Sequence, residues 1–175
     1  MNKKVINIIG TLFIFLIGFI IHNLYKWFPS VLTLILSPVS ESLFEHLKMI
    51  LTSYMIWIII KYLIFKKYDI HENNFLFKEL LTTIIGIPLF YLVYIPIYNA
   101  TGENLLVTLI IYFISISVTE IINCFINFKR EINWLKVLSI IVIILIYTIT
   151  TYLTYKPPII DFFLDPTNNS YGINK

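Results

Sequence analysis

Five apolar stretches, each near the length that crosses a lipid bilayer, constrain this chain more than any other feature. They run Val5–Tyr25, Met49–Phe65, Leu80–Tyr98, Leu105–Phe128 and Leu135–Tyr155. A spanning helix needs about 20 mostly apolar residues, because lipid offers no partner to backbone N–H and C=O groups and the segment must satisfy its own. Composition agrees. The chain is 58% hydrophobic and 13% charged, whereas ordinary soluble domains carry about a quarter charged residues. That leaves too little polar surface to cover a water-soluble globule. The expected fold class is all-α: a polytopic membrane helix bundle of about five transmembrane helices, with the lipid bilayer as its principal partner. The run Ser30–Leu36 (SVLTLIL) is too short to span and is expected as an interfacial or re-entrant piece.

The remaining organisation follows from the joints. NATGEN (Asn99–Asn104, with Gly102 as breaker and Glu103 beside it) and KREIN (Lys129–Asn133) are short turns. The latter makes the fourth and fifth spans antiparallel neighbours. Pro88 falls mid-span and predicts a bend. There is no internal repeat and no low-complexity tract, so residues 1–175 read as a single integral membrane domain. The basic start and long apolar run, with no small-residue cleavage site after them, predict an uncleaved first helix. A lone cysteine, Cys124, excludes an intrachain disulfide and reads as a small buried hydrophobe. The lysines are scattered between spans and form no basic stripe, which argues against nucleic acid as a partner. With the N-terminus inside, eight basic residues face the cytoplasm (Lys3, Lys4, Lys66, Lys67, Lys78, Lys129, Arg130, Lys136) and four face out (Lys26, Lys48, Lys156, Lys175). This predicts a cell-membrane protein with its N-terminus cytoplasmic and its C-terminus outside.

Chemistry-bearing residues gather in SPVSESLFEHLK, residues 37–48. Ser37-Pro38 predicts a helix start that runs into the second span, about 43 Å from Pro38 to Lys66 at 1.5 Å per residue. On such a helix Glu41 and Glu45 share one face, and His46 lies at its edge. His22 closes the first span at the same membrane end. Glu41, Glu45 and His46 are therefore the candidate catalytic residues, as a general acid and base. His22, Glu45 and His46 are the candidate ligands of a divalent metal such as zinc. The pattern is neither His-Glu-x-x-His nor His-x-x-Glu-His, since Ser42 stands where the latter needs its first histidine. The plainer alternative is that the acids favour a helix start, Ser42-x-x-Glu45 is a capping box, and Lys48 reaches to the interface. A second polar group lies within the membrane: Glu120 shares a face with Asn123, and Lys61 sits at similar depth. A Glu120–Lys61 pair, or a protonated Glu120 bonded to an asparagine, is expected as structural glue.

The last residues, 156–175, carry Phe162, Phe163, Leu164 and Tyr171, which want burial, after a Pro157-Pro158 stop. They are expected as an extended outer tail folded back across the outer mouth, bringing Asp161 or Asp165 towards Glu41 and Glu45. SESLFEHLK resembles the Asn-Glu-Ser-x-x-Glu-His-x-Lys signature of a family of small multi-pass prokaryotic membrane proteins of unknown function. Glu41, Ser42, Glu45, His46 and Lys48 match it, while Ser40 departs from the asparagine. HNLY (His22–Tyr25) and FLDPTNNSYGI also match family patterns. The resemblance implies a bacterial integral membrane protein and brings no activity. Three function classes follow: an outer-face polar site, metal-dependent and hydrolase-like on a lipid or envelope substrate; a non-enzymatic accessory or binding protein; or a small transporter coupled through Glu120. The lack of repeat symmetry counts against the last.

Overall fold

The computed structural model describes residues 2–102 and 104–173. Glu103, expected in the outer turn, lies outside them. The elements in order are α1 (Lys3–Trp27), α2 (Val31–Leu36), α3 (Leu43–Lys67), α4 (Phe75–Thr101), α5 (Leu105–Phe125) and α6 (Asn133–Tyr155). A 3-10 turn (Asp161–Phe163) and a two-stranded ribbon, β1 (Leu164–Asp165) with β2 (Ser170–Tyr171), close the chain. All the long helices, α1 and α3 to α6, are long and apolar enough to cross a membrane. Their outward residues, such as Leu16, Leu92, Ile114 and Ile144, are large and apolar, as lipid contact requires. α3 has 56% of its apolar window buried and α6 only 17%, so α3 is the most enclosed of the five and α6 the least.

Packing separates two units. One comprises Met1–Phe15 with Tyr54–Ser139, and the other Leu16–Ser53 with Ile140–Lys175. In the first, the consecutive helices α4 and α5 pack against each other. Gly86 of α4 lets that pair close up, since a Cβ there would stand 2.6 Å from Thr119 Oγ1. α4 is continuous through Pro88 and Pro96. The loop before α4 is pinned by Asn74, whose side chain donates to the Arg130 carbonyl (2.7 Å) and accepts from Ile132 N–H (2.7 Å).

The second unit corrects the expected helix start. Ser37-Pro38 does not open α3. Ser37 instead ends α2, its N–H and Oγ both donating to the Thr33 carbonyl (2.8 and 2.6 Å). α2 is short but well capped: Ser30 and Thr33 form a reciprocal capping box. Its terminal carbonyls are taken up by α3, Leu34 by Lys48 (2.9 Å) and Leu36 by Thr52 (2.6 Å). Residues 37–42 are non-helical, and α3 begins at Leu43 behind Ser42, whose Oγ accepts from Glu45 N–H (3.3 Å). Only this half of the predicted capping box forms. The tail folds back, as its aromatic content predicts. Phe163 stacks on Phe44 at 4.4 Å, and Ile173 N–H donates to the Thr154 carbonyl (3.3 Å). Gly172 makes that approach possible, with φ +62° and no Cβ to strike the Thr154 carbonyl.

Candidate metal centre

Three side chains converge in the second unit. His22 comes from α1, Glu41 from the non-helical 37–42 segment, and His46 from the first turn of α3. His22 Nε2 lies 3.2 Å from Glu41 Oε2 and 3.3 Å from His46 Nε2, and His46 Nε2 lies 3.7 Å from the same carboxylate oxygen. All three ligand atoms fall within 4.8 Å of one another. The side chains are about three-quarters buried, with relative exposures of 25%, 22% and 21%.

The surroundings fix the roles of the atoms. His46 Nδ1 is 2.8 Å from the Ser42 carbonyl. A carbonyl oxygen only accepts, so Nδ1 carries the proton and the neutral ring presents an Nε2 lone pair to the cluster. A ligating histidine is commonly oriented by such a backbone contact. The other oxygen of Glu41, Oε1, is ion-paired with Lys26, one turn beyond His22 on the same face of α1. Glu41 N–H donates to Asp165 Oδ2 (3.2 Å), so the folded-back tail holds the backbone beneath the carboxylate. The hydrogen bond from His22 holds the Glu41 carboxyl down at about 2 against its burial, with Lys26 contributing in the same direction. Glu41 is therefore an anion at any physiological pH.

Glu45, expected beside these groups, is placed in a separate, buried cluster. Its carboxylate accepts from Lys48 (2.6 Å), from Thr154 Oγ1 (2.6 Å) and from Val39 N–H (3.0 Å). Lys48 spends its three protons on Glu45, the Leu34 carbonyl and Thr154 Oγ1. It is fully buried rather than extended to the interface, because all three donors are satisfied inside. Asp161 opens the 3-10 turn and is exposed. Asp165 is the acid that the tail contributes, and its Oδ1 is engaged by Thr167 N–H and Oγ1 (2.9 and 2.6 Å).

The intramembrane polar group in the first unit also differs from expectation. Lys61 pairs with Glu79 (2.7 Å), not with Glu120. Asn123 has no capacity left for Glu120. Its Nδ2 donates to Glu79 and Thr82 (3.0 and 3.2 Å), and its Oδ1 accepts from Lys61 and Asn7 (both 3.3 Å). Both carboxylate oxygens of Glu120 are buried without a hydrogen-bond partner among the described residues. Sequence reasoning missed Glu79 because it began the third span at Leu80. The signal was available in the four residues Phe75–Lys78, which are compatible with one further helical turn.

The model of a family of unknown function, DUF6512, matches residues 1–173. The chain belongs to that family. No curated protein and no solved structure matches the sequence or the fold. For this DUF6512 member, chemistry must therefore be read from the cluster itself.

Proposed function

We propose that this DUF6512 protein binds one divalent metal ion, with zinc the best fit, through His22 Nε2, His46 Nε2 and Glu41 Oε2. The observation that carries the reading is the mutual spacing of those three atoms. Zinc–ligand bonds of about 2.0–2.1 Å in a tetrahedron put the ligand atoms about 3.3–3.4 Å apart. The spacings here are 3.2, 3.3 and 3.7 Å. Two imidazoles and one carboxylate oxygen leave a fourth position open, which is the arrangement of catalytic rather than structural zinc. The bound ion would supply a water acidified to a pKa of about 7 and a Lewis acid for a carbonyl or phosphoryl oxygen. Glu41 offers one oxygen to the metal while Lys26 occupies the other.

The lysine and arginine bias puts the end of α1 and the start of α3 on the extracytoplasmic face. Trp27, Phe28, Val31 and Leu32, which follow the site's α1 residues, are all more than half exposed. Such an apolar margin suits an amphiphilic substrate presented from the bilayer, and a hydrolase acting on a lipid or envelope ester or amide fits it best.

The test is metal analysis of protein purified in detergent and reconstituted with zinc. Wild type is expected to hold about one equivalent. Glu41→Gln and His46→Ala should hold none, and both should remain folded. Wild-type protein that retains no zinc, or a Glu41→Gln variant that retains a full equivalent, overturns the reading. Hydrolysis of ester-bearing lipids in mixed micelles, lost on chelation and restored by zinc, tests the reaction separately.

A further inference from the structure

The first unit contains a cleft of about 250 Å³ that the metal reading does not use. It is lined by Lys3, Lys4, Lys61, Lys78 and Glu72, with Asn7 at its inner wall. The charges do not balance. Lys61 is neutralised by Glu79 at 2.7 Å. Lys3 and Lys78 share one oxygen of Glu72, at 3.2 and 2.8 Å. Lys4 has no carboxylate within ion-pair distance among the described residues. Lys3, Lys4 and Lys78 thus line the cleft with a single carboxylate, an excess of two positive charges. The first turns of α1 and α4 contribute Lys3, Lys4 and Lys78 and hold no acid, so two positive helix ends add to the same potential. At the edge of a low-dielectric bundle such an excess is costly unless an anion arrives. The cleft is a little smaller than the roughly 300–1,000 Å³ of pockets for drug-sized ligands, a size that suits a headgroup.

From this we infer that the cleft is an anion site for a phosphate-bearing group, with Lys3, Lys4 and Lys78 as its donors. The phosphate is that of an anionic phospholipid headgroup or of a free phosphomonoester. Basic pockets between transmembrane helices on the cytoplasmic side are where anionic headgroups are held. With the N-terminus inside, this cleft faces that leaflet. Lys61 and Asn7 form the neutral inner wall, their polar atoms committed to Glu79, Asn123 and the Glu120 carbonyl.

The experiment is a titration of the full chain in nanodiscs and in detergent. Phosphatidylglycerol, phosphatidylcholine and soluble glycerol 3-phosphate are the probes, and native mass spectrometry and thermal shift are the readouts. Phosphatidylglycerol binding is expected to weaken roughly fivefold in Lys3→Gln or Lys4→Gln and about thirtyfold in the double variant, at about one lysine–headgroup contact each. The double Lys→Arg variant should bind like wild type, which separates lost charge from lost fold. Raising salt from about 0.05 to 0.5 M should weaken binding in wild type. Competition by glycerol 3-phosphate identifies a free phosphate as the ligand, and its failure to compete identifies the lipid headgroup. Equal phosphatidylglycerol binding by wild type and the double glutamine variant overturns the inference, as does binding insensitive to salt. Zinc content should not change in any of these variants, so the two sites are tested independently.

Discussion

Glu41 and Glu45 lie four residues apart and have opposite surroundings. Glu45 is 1% exposed and accepts from a lysine, a threonine and a backbone N–H, with every donor around it spent. Glu41 is partly open, faces two imidazole nitrogens and meets a lysine on its other oxygen. The first carboxylate is scaffold, because nothing can approach it without breaking a bond already made. The second has two imidazole nitrogens at metal-ligand spacing and is about one-fifth exposed. A carboxylate beside a histidine in sequence says little. What distinguishes the two is whether the carboxylate is sealed among partners that are already committed or is partly open beside imidazole nitrogens.

The largest effect that could break this contrast is expected at Lys48. Lys48→Met leaves Glu45 as an unpaired buried charge, at a cost of about 3–5 kcal/mol. Denaturant or thermal unfolding in detergent should show a grossly destabilised protein. Glu45→Leu combined with Lys48→Met should recover much of the loss, since replacing both members of a buried pair is far milder than removing one. A Lys48→Met single variant as stable as wild type would mean that Glu45 is not sealed, and the contrast with Glu41 would collapse.

Next comes Gly172→Ala, which asks whether the tail is part of the scaffold. An alanine at φ +62° is strained, and its Cβ would strike the carbonyl of Thr154, the residue that donates to Glu45. A loss of about 1–3 kcal/mol is expected, together with greater protease access to residues 157–173. A neutral outcome would make the tail a passive cover.

These two sites show what the sequence could and could not reveal. The five spans were legible because length and apolarity are sufficient signals. The start of α4 was read short, because the charged residues Lys78 and Glu79 lie inside that helix. Hydropathy counts such residues as loop, yet pairing makes them cheap enough to bury, and the pairing partner cannot be seen along the chain. The same blindness assigned Lys61 to Glu120 instead of Glu79. Ser37-Pro38 looked like a helix start because a serine before proline favours one, but the α2 carbonyls competed successfully for the Ser37 donors. That shift released Glu41 from the helical face it was expected to share with Glu45. His22, Glu41 and His46 were each singled out from residue type, but grouping Glu41 rather than Glu45 with the histidines required knowing that residues 37–42 are not helical.

Glu72 occupies an intermediate position and sharpens the comparison through pH. Burial alone would raise its carboxyl, but the hydrogen bond from Lys78 and the charges of Lys78 and Lys3 outweigh it and hold the group below its ordinary 4.5. A depressed folded-state value means that the ion pairs stabilise the protein fully above about pH 4.5, the unfolded value. The contribution is lost as pH falls below that and through the folded value. Unfolding midpoints of wild type should therefore drop across that acidic window, and Glu72→Gln should flatten the drop while lowering stability at pH 7. An identical pH profile in the variant would show that Glu72 is uncoupled from its lysines.

The smallest expected effect gives the most discriminating test of Glu41. Lys26 is about half exposed, so its ion pair is worth little to stability, less than about 1 kcal/mol. Its charge, however, sits against the same carboxylate that the metal would use. If His22, Glu41 and His46 hold a cation, Lys26 opposes it, and Lys26→Gln should tighten zinc binding, roughly fivefold for about 1 kcal/mol of repulsion removed. If the three side chains are only a hydrogen-bonded surface cluster, Lys26 is one of the groups that orders Glu41, and its loss should leave zinc uptake unchanged or abolish it. A competition titration with a chromophoric chelator reads the sign directly. Tighter binding in Lys26→Gln places Glu41 with the metal, and unchanged or weaker binding returns it to the category that Glu45 already occupies.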